Sequence, residues 1–187
     1  PIIGGMEISN STIRLAYFDG RIWHLGGVRL NPGILEDGKI KDRSRFIEAL
    51  KSVKLQVFGK KYDKRKVSIV ASLSSIKIYS QVFSLPIIKG ENLEKAIELN
   101  VQMVTPFDAS QGYSGWQMVS EDKQTLRLEV LSAFIDRSFV DELNKTLLDA
   151  GFLLIALESK ALSLSRLIRE EASGIDINKP YIAVNLD

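Results

Sequence analysis

The sequence predicts an α/β fold built on a mixed β-sheet, with an α+β segment inserted into it, and three observations carry this prediction. The chain opens with a β-meander, which requires antiparallel strands. It closes with a strand–helix–strand pattern whose last strand is Tyr181–Leu186, and this pattern implies parallel strands joined by a right-handed crossover. Between the two, Ile76–Ala150 has the order strand, helix, strand, strand, helix. Residues 1–75 and 151–187 are therefore expected to form the main unit, and residues 76–150 the insert.

The meander consists of short apolar-rich segments separated by turn residues. Ile2–Ser9 and Ile13–Phe18 flank the turn Asn10-Ser11-Thr12. A third strand, Arg21–Arg29, follows the turn signal Asp19-Gly20. Consecutive strands with such short connections pair with their neighbours in the chain.

A helix is predicted after the meander, with Asp42 as its N-cap and Gly59 as its end. Its apolar residues recur at helical spacing on one face, and they are Phe46, Leu50, Val53 and Val57. The apolar run Val67–Leu73 then predicts a strand buried on both faces.

The insert is expected to open with a strand, because alternate residues of Ile76–Ser84 share one face. A helix over Asn92–Val104 follows, since an apolar stripe recurs along one side of it. Two strands come next, Tyr113–Val119 and Leu126–Ile135, joined by a polar turn at Ser120–Lys123.

The rest of the chain carries clear helix boundaries. Ser138 and Asp141 have capping-box spacing for a helix that Gly151 ends in the C′ position. Phe152–Leu157 is a continuous apolar strand, and Ser159 is predicted to cap the helix after it.

Composition excludes several function classes. The sequence has no cysteine, which rules out disulfide frameworks, thiol nucleophiles and cysteine zinc sites. Its single histidine, His24, is interpreted as a structural or surface residue. Apolar runs fall well short of the roughly 20 residues that span a bilayer, so a cytoplasmic protein is expected.

The charge distribution does not indicate nucleic-acid binding, because the formal net charge is only +2. Five cations are nevertheless concentrated in one predicted loop, and they are Lys60, Lys61, Lys64, Arg65 and Lys66. A solvated connector is the preferred interpretation. Contact with the anionic cytoplasmic leaflet of a membrane is the alternative.

Two matches to catalytic motifs fail on their context. Gly33–Lys39 has phosphate-loop spacing up to its lysine, but Ile40 stands where that loop needs a serine or threonine. Ser74 and Lys77 have a spacing used by penicillin-binding enzymes, but on a strand this offset places them on opposite faces. No catalytic residue is therefore predicted.

The opening hairpin, Gly5–Leu15, is the remaining candidate for a ligand site. Glu7 lies at the end of the first strand, and the turn after it consists of Ser9, Asn10, Ser11 and Thr12. Such a turn can present backbone N–H groups and hydroxyls to phosphate, with the carboxylate acting through metal-bound water. An ordinary surface turn is the alternative interpretation.

Six segments in order along the chain form a familiar pattern, and they are Gly5–Leu15, Leu30–Ile40, Ser84–Pro86, Ala96–Pro106, Ala133–Asp136 and Ala156–Leu162. Together they resemble the PilM-like family of the actin-like superfamily, to which FtsA, MreB and the DnaK-type chaperones also belong. The resemblance implies a ribonuclease-H/actin-like subdomain IA for the main unit. It also implies a subdomain IC with a strand–helix–strand–strand core for the insert.

The resemblance assigns the hairpin to the first phosphate loop, with Glu7 in place of an aspartate and Ser9 in place of a glycine. It implies that Glu7, the turn Ser9-Asn10-Ser11-Thr12 and Asp187 contact ATP, and that Glu7 and Asp187 hold Mg2+ through water. In this family the rest of the second phosphate loop and the adenine-binding domain follow the position of Asp187. The intact protein is therefore expected to bind ATP and Mg2+, and this chain alone is expected to bind neither.

The same resemblance implies a role in type IV pilus or type II secretion machinery. A groove between subdomains IA and IC would bind the N-terminal cytoplasmic peptide of a PilN-like inner-membrane protein, which would place the chain peripherally at that membrane. Self-association into a ring or filament is a further expectation. Two alternatives stay open, an FtsA-like cell-division protein and an ATPase or sugar-kinase-like enzyme of the same superfold.

Overall fold

The computed structural model describes residues 2–36, 39–73, 78–88, 90–104 and 111–171, together with residues 174, 176 and 179. The predicted last strand, Tyr181–Leu186, lies outside the described residues, and so does Asp187. Among the residues that are described, no helix is both long and apolar enough to cross a bilayer.

The described chain contains ten strands and four α-helices. The strands are β1 (Ile3–Ile8), β2 (Thr12–Phe18), β3 (Trp23–Arg29), β4 (Leu35–Glu36), β5 (Lys39–Ile40), β6 (Val67–Leu73), β7 (Tyr79–Pro86), β8 (Gly112–Asp122), β9 (Arg127–Asp136) and β10 (Phe152–Ser159). The helices are α1 (Arg43–Phe58), α2 (Glu91–Val104), α3 (Arg137–Asp149) and α4 (Lys160–Glu171).

The main sheet has five strands in the order β10-β6-β1-β2-β3. β6 pairs in parallel with β1 and with β10, whereas β2 pairs antiparallel to β1 and to β3. The predicted mixed sheet and the opening meander are therefore confirmed.

The largest core lies between one face of this sheet and two helices. α1 contributes the buried residues Phe46, Leu50 and Val53, and α3 contributes Leu143 and Leu147. On the sheet side, the alternate residues of the strands that face these helices are buried. Although α3 falls within the predicted insert, its buried face thus belongs to the core of the five-stranded sheet.

A second, three-stranded antiparallel sheet has the order β7-β9-β8. α2 packs on one face of it and buries Ile97 and Val101 against Leu85 and Val130. The order of strand, helix, strand and strand in this part of the chain is the predicted one.

The ends of α1 are those that the sequence predicts. The Asp42 carboxylate accepts a hydrogen bond from the backbone N–H of Arg45 at 3.0 Å, which satisfies a donor that the first turn leaves free. Gly59 follows the helix with a φ of 72°, a conformation that glycine adopts without strain.

The N-cap predicted for α3 is wrong. Asp136, not Ser138, precedes the helix, and its carboxylate accepts the backbone N–H of Phe139 at 2.9 Å. Ser138 lies inside the first turn and hydrogen-bonds the Asp136 carboxylate. The predicted end is confirmed, because Gly151 follows the C-cap Ala150 with a φ of 84°.

The turn predicted at Ser120–Lys123 is also displaced. β8 continues to Asp122, and a bulge between Met118 and Ser120 changes the register of its pairing with β9. The Asp122 carboxylate then accepts backbone N–H bonds from Gln124 and Thr125, which closes the turn after the strand rather than within it.

A buried lysine stabilises the loop that follows α1. Lys54 is only 3% exposed, and its ammonium donates hydrogen bonds to the carbonyl oxygens of Asp63 and Arg65 at 3.2 and 2.7 Å. Burial lowers the pKa of this ammonium below its ordinary value. The five cations of the 60–66 loop are exposed, in agreement with a solvated surface segment.

We expect Lys54→Met to reduce the free energy of unfolding by about 1–3 kcal/mol, because two carbonyl oxygens lose a charged donor while the apolar stem is kept. Denaturant titration of both proteins measures this difference. Lys51→Met is the matched control, since Lys51 lies exposed on the same helix. Equal losses for the two variants would contradict a specific role for Lys54.

Asp136→Ala should destabilise the protein by about 1 kcal/mol, the usual effect of losing an N-cap side chain. Ser138→Ala should cost much less, because the Ser138 hydroxyl donates to Asp136 rather than accepting a backbone N–H of α3, and alanine favours helix. The same denaturant titration distinguishes the two caps. A larger loss of stability for the Ser138 variant would show that Ser138 is the N-cap, as the sequence predicts.

Candidate functional site

The β1–β2 hairpin brings most of the predicted site residues to one end of the main sheet. The register pairs Ile8 with Ile13 and Glu7 with Arg14, and the Ser9 N–H donates to the Thr12 carbonyl at 2.9 Å. The turn therefore lies directly beyond the Glu7 carboxylate. Asn10 and Ser11 are the exposed residues at its tip.

The Ser9 hydroxyl holds this turn together from inside. Its oxygen accepts the backbone N–H of Thr12 at 3.1 Å and that of Ser11 at 3.4 Å. It also lies 3.0 Å from the Thr12 hydroxyl. Two backbone donors that could face a bound phosphate are thus directed at a side chain of the turn itself.

Glu7 is flanked by two cations. Its Oε1 atom lies 2.8 Å from the Lys160 ammonium, and its Oε2 atom accepts a hydrogen bond from the Arg14 guanidinium at 3.0 Å. Apart from the Lys160 ion pair, the buried Oε1 atom has no hydrogen-bond partner among the described residues. Burial raises the pKa of the Glu7 carboxyl, but Lys160 and then Arg14 outweigh it and hold the pKa below its ordinary value.

These surroundings do not fit a magnesium ion. Mg2+ requires oxygen ligands, most often carboxylates with uncompensated charge, whereas each oxygen of Glu7 already faces a cation. Across the described part of the chain, no three His, Asp or Glu side chains converge as a metal site would require. The ATP contacts of the Ser9–Thr12 turn and the roles of Asp187 stay predictions.

A groove separates the two sheets. Its volume is about 510 Å3, and it runs between β8 and β9 of the small sheet on one side and β10 and α4 of the main unit on the other. α3 contributes Asp141 and Asn144 to its lining. Within this lining, the Asp141 carboxylate accepts a hydrogen bond from the Tyr113 hydroxyl at 2.9 Å.

The groove combines an apolar wall with a few polar groups. Ala133, Ile135, Leu154 and Ile155 form much of the apolar part. At one end the Arg166 guanidinium pairs with a carboxylate oxygen of Glu158 at 2.9 Å. Such a lining suits an elongated ligand with apolar side chains and a small number of hydrogen-bonding groups.

His24 and the tryptophans lie outside both sites. The imidazole Nε2 of His24 is 2.8 Å from a carboxylate oxygen of Asp19, so the histidine belongs to a surface pair at the end of the β2–β3 turn. Trp23 and Trp116 are surface residues, with exposed fractions of 65% and 43%.

Sequence reasoning missed Lys160 and the groove residues. The pairing of Glu7 with Arg14 could have been found, because a hairpin centred on Asn10-Ser11 places them opposite each other. Lys160 carried no such signal, since it lies far from Glu7 in the chain and meets it only through the sheet.

No protein-family profile matches the sequence, and no curated protein matches it either. Solved structures do match. A chain of the PilM-PilN type IV pilus biogenesis complex superposes with a TM-score of 0.72 and 18% identity over 90% of this chain and 52% of that chain.

A second match is the cytoplasmic domain of EpsL, an inner-membrane component of the type II secretion system of Vibrio cholerae. It superposes with a TM-score of 0.53 and 13% identity, and it covers 87% of this chain and 59% of that domain. The present chain therefore spans little more than half the length of either structure.

The stability that the surface pair of Asp19 and His24 contributes depends on pH. Its hydrogen bond with His24, followed by those from the backbone N–H groups of Ile22 and Arg21, lowers the pKa of the Asp19 carboxyl from 3.8 to about 2. A carboxyl with a depressed folded-state pKa stabilises the fold above its unfolded-state pKa and loses this effect as the pH falls through the folded-state value.

We therefore expect Asp19→Asn to destabilise the protein at about pH 4–5, and by progressively less as the pH falls toward about 2. Urea titrations of both proteins across this range test the expectation. Glu48→Gln, an exposed change on α1, controls for the general effect of removing one charge. A difference that stays constant down to pH 2 would contradict it.

The order of the elements, the mixed five-stranded sheet and the agreement over 90% of the chain lead to one conclusion about the architecture. The chain has the fold of the matched part of the PilM-PilN type IV pilus biogenesis complex.

Proposed function

We propose that the chain is the N-terminal half of a PilM-like assembly protein, and that its inter-sheet groove docks an extended cytoplasmic segment of a PilN-like inner-membrane protein. The groove is the observation that carries the proposal, because it is large, partly apolar and open to a peptide. The coverage of about half of the PilM-PilN chain supports the assignment to one half of a longer protein.

The strand arrangement favours an extended ligand over a compact one. β8 is an edge strand of the small sheet, and Tyr113, Ser114 and Gly115 from it line the groove. A peptide lying along such an edge can form backbone hydrogen bonds while its alternate side chains enter the apolar wall. From α3, Asn144 and Asp141, which already accepts the Tyr113 hydroxyl, add polar groups to the lining.

The proposed binding places the protein on the cytoplasmic side of the inner membrane, held there by its partner. It serves in the assembly of a type IV pilus or of a related type II secretion system. ATP and Mg2+ would act in the intact protein through groups outside the β1–β2 hairpin, and further copies of the chain could assemble into a ring or filament. These roles rest on the resemblance to PilM-like proteins and on the structural likeness.

Isothermal titration calorimetry tests the docking directly, with a synthetic peptide spanning the N-terminal cytoplasmic segment of the PilN-like protein from the same organism. We expect a dissociation constant in the micromolar range without ATP or Mg2+, because the groove is already formed in this chain. Absence of binding by the folded chain would overturn the proposal and favour an FtsA-like or enzymatic role.

Gly115→Arg should weaken peptide binding by about tenfold or more, since an arginine side chain there would fill the groove. The change is compatible with folding, because a Cβ atom at Gly115 would meet no atom within 4 Å. Gln117→Arg is the matched control, as Gln117 lies on the same strand outside the groove lining. Equal effects of both substitutions would place the peptide elsewhere.

A further inference from the structure

We propose that two side chains of this protein fill the positions a divalent cation and a phosphate oxygen would take at the β1–β2 hairpin. The Lys160 ammonium lies where a cation would bind the Glu7 carboxylate. The Ser9 hydroxyl oxygen accepts the backbone N–H groups of the turn that would otherwise be free to bind phosphate. These polar groups of the hairpin therefore already have partners within the protein, and the hairpin binds neither a divalent cation nor a phosphate group. This inference does not depend on peptide docking in the groove.

The placement of Lys160 supports the first half of the inference. Lys160 is the first residue of α4, and its side chain is only 14% exposed. It reaches the Glu7 oxygen that is excluded from solvent, at 2.8 Å. An ion that replaced it would have to displace a largely buried ammonium from its counter-ion, and leaving a charge unpaired in such a place is costly.

Arg14 closes the other side of the carboxylate. Its guanidinium donates to the second Glu7 oxygen at 3.0 Å from the neighbouring strand. One negative charge is thus shared by two positive ones, so the local field repels a further cation. The Glu7 side chain, which is 24% exposed, thus joins β1, β2 and the start of α4 through both of its oxygens.

Ser9 supports the second half. A glycine at this position would leave the N–H groups of Ser11 and Thr12 available to a ligand. In this chain both N–H groups point at the Ser9 oxygen, at 3.4 and 3.1 Å. Ser9 achieves this without a positive φ, since Leu126 is the only non-glycine residue with one among the described residues.

Removal of the Lys160 ammonium and the Ser9 hydroxyl should create a metal-binding site at the hairpin. We would measure Mn2+ binding by equilibrium dialysis, with the same pyrophosphate concentration on both sides of the membrane, so that only manganese held by the protein is counted. The unaltered chain should bind no more tightly than its Glu7→Gln variant. The double variant Ser9→Gly, Lys160→Gln should bind at least about tenfold more tightly, because one of the two repelling charges is gone and the backbone donors of the turn are free.

Adding Glu7→Gln to the double variant should abolish the gain, which would assign the new site to this carboxylate. Ser9→Gly combined with Arg166→Gln is the matched control, because Arg166 lies on the same helix and pairs with Glu158 instead. Circular dichroism confirms that each variant is folded. The single variants Ser9→Gly and Lys160→Gln should each give part of the gain, which keeps the test decisive if the double variant does not fold.

Two results would overturn the inference. One is Mn2+ binding by the unaltered chain that Glu7→Gln weakens, because Glu7 would then be a metal ligand despite Lys160. The other is a folded set of variants in which no gain appears, because Lys160 and Ser9 would then not be the groups that exclude the ions.

Discussion

The parallel pairing of β6 with β1 on one side and β10 on the other organises the whole chain. These pairings join segments that are far apart in sequence, so they define where the meander, the small sheet and α4 lie in space. The alternate residues of β6 that face α1 and α3 are buried, which commits the strand to the largest core. Burial of this apolar surface is the dominant favourable contribution to such a fold.

The ion pairs of Glu7 are a consequence of that arrangement. β1 ends where α4 begins, because both β1 and β10 run parallel to β6 and finish at the same edge of the sheet. Lys160 follows β10 directly and therefore meets Glu7 at the end of β1. In folds of this kind the carboxyl ends of parallel strands are where ligands usually bind. Here side chains of the protein occupy that position.

The groove follows from the same geometry. β7, β8 and β9 form a separate sheet, while α3, which comes next in the chain, packs on the main core. The small sheet is thereby held beside β10 and α4 without being continuous with the main sheet, and a cavity of about 510 Å3 is left between them. A gap between two independently packed units is a common place for a binding site.

Most elements were determined by the local sequence, because apolar periodicity and capping residues act over a few positions. The cap Asp42, the stop at Gly59 and the opening meander are examples, and the pairing of Glu7 with Arg14 follows from the hairpin register. Local patterns misplaced the α3 cap, since Ser138 and Asp136 both offer an oxygen and only the backbone direction after β9 selects Asp136. The tertiary structure alone decided that Lys160 neutralises Glu7 and that Gly115 and Asp141 line the same groove. Those contacts join residues far apart in the chain, and no spacing rule reports them.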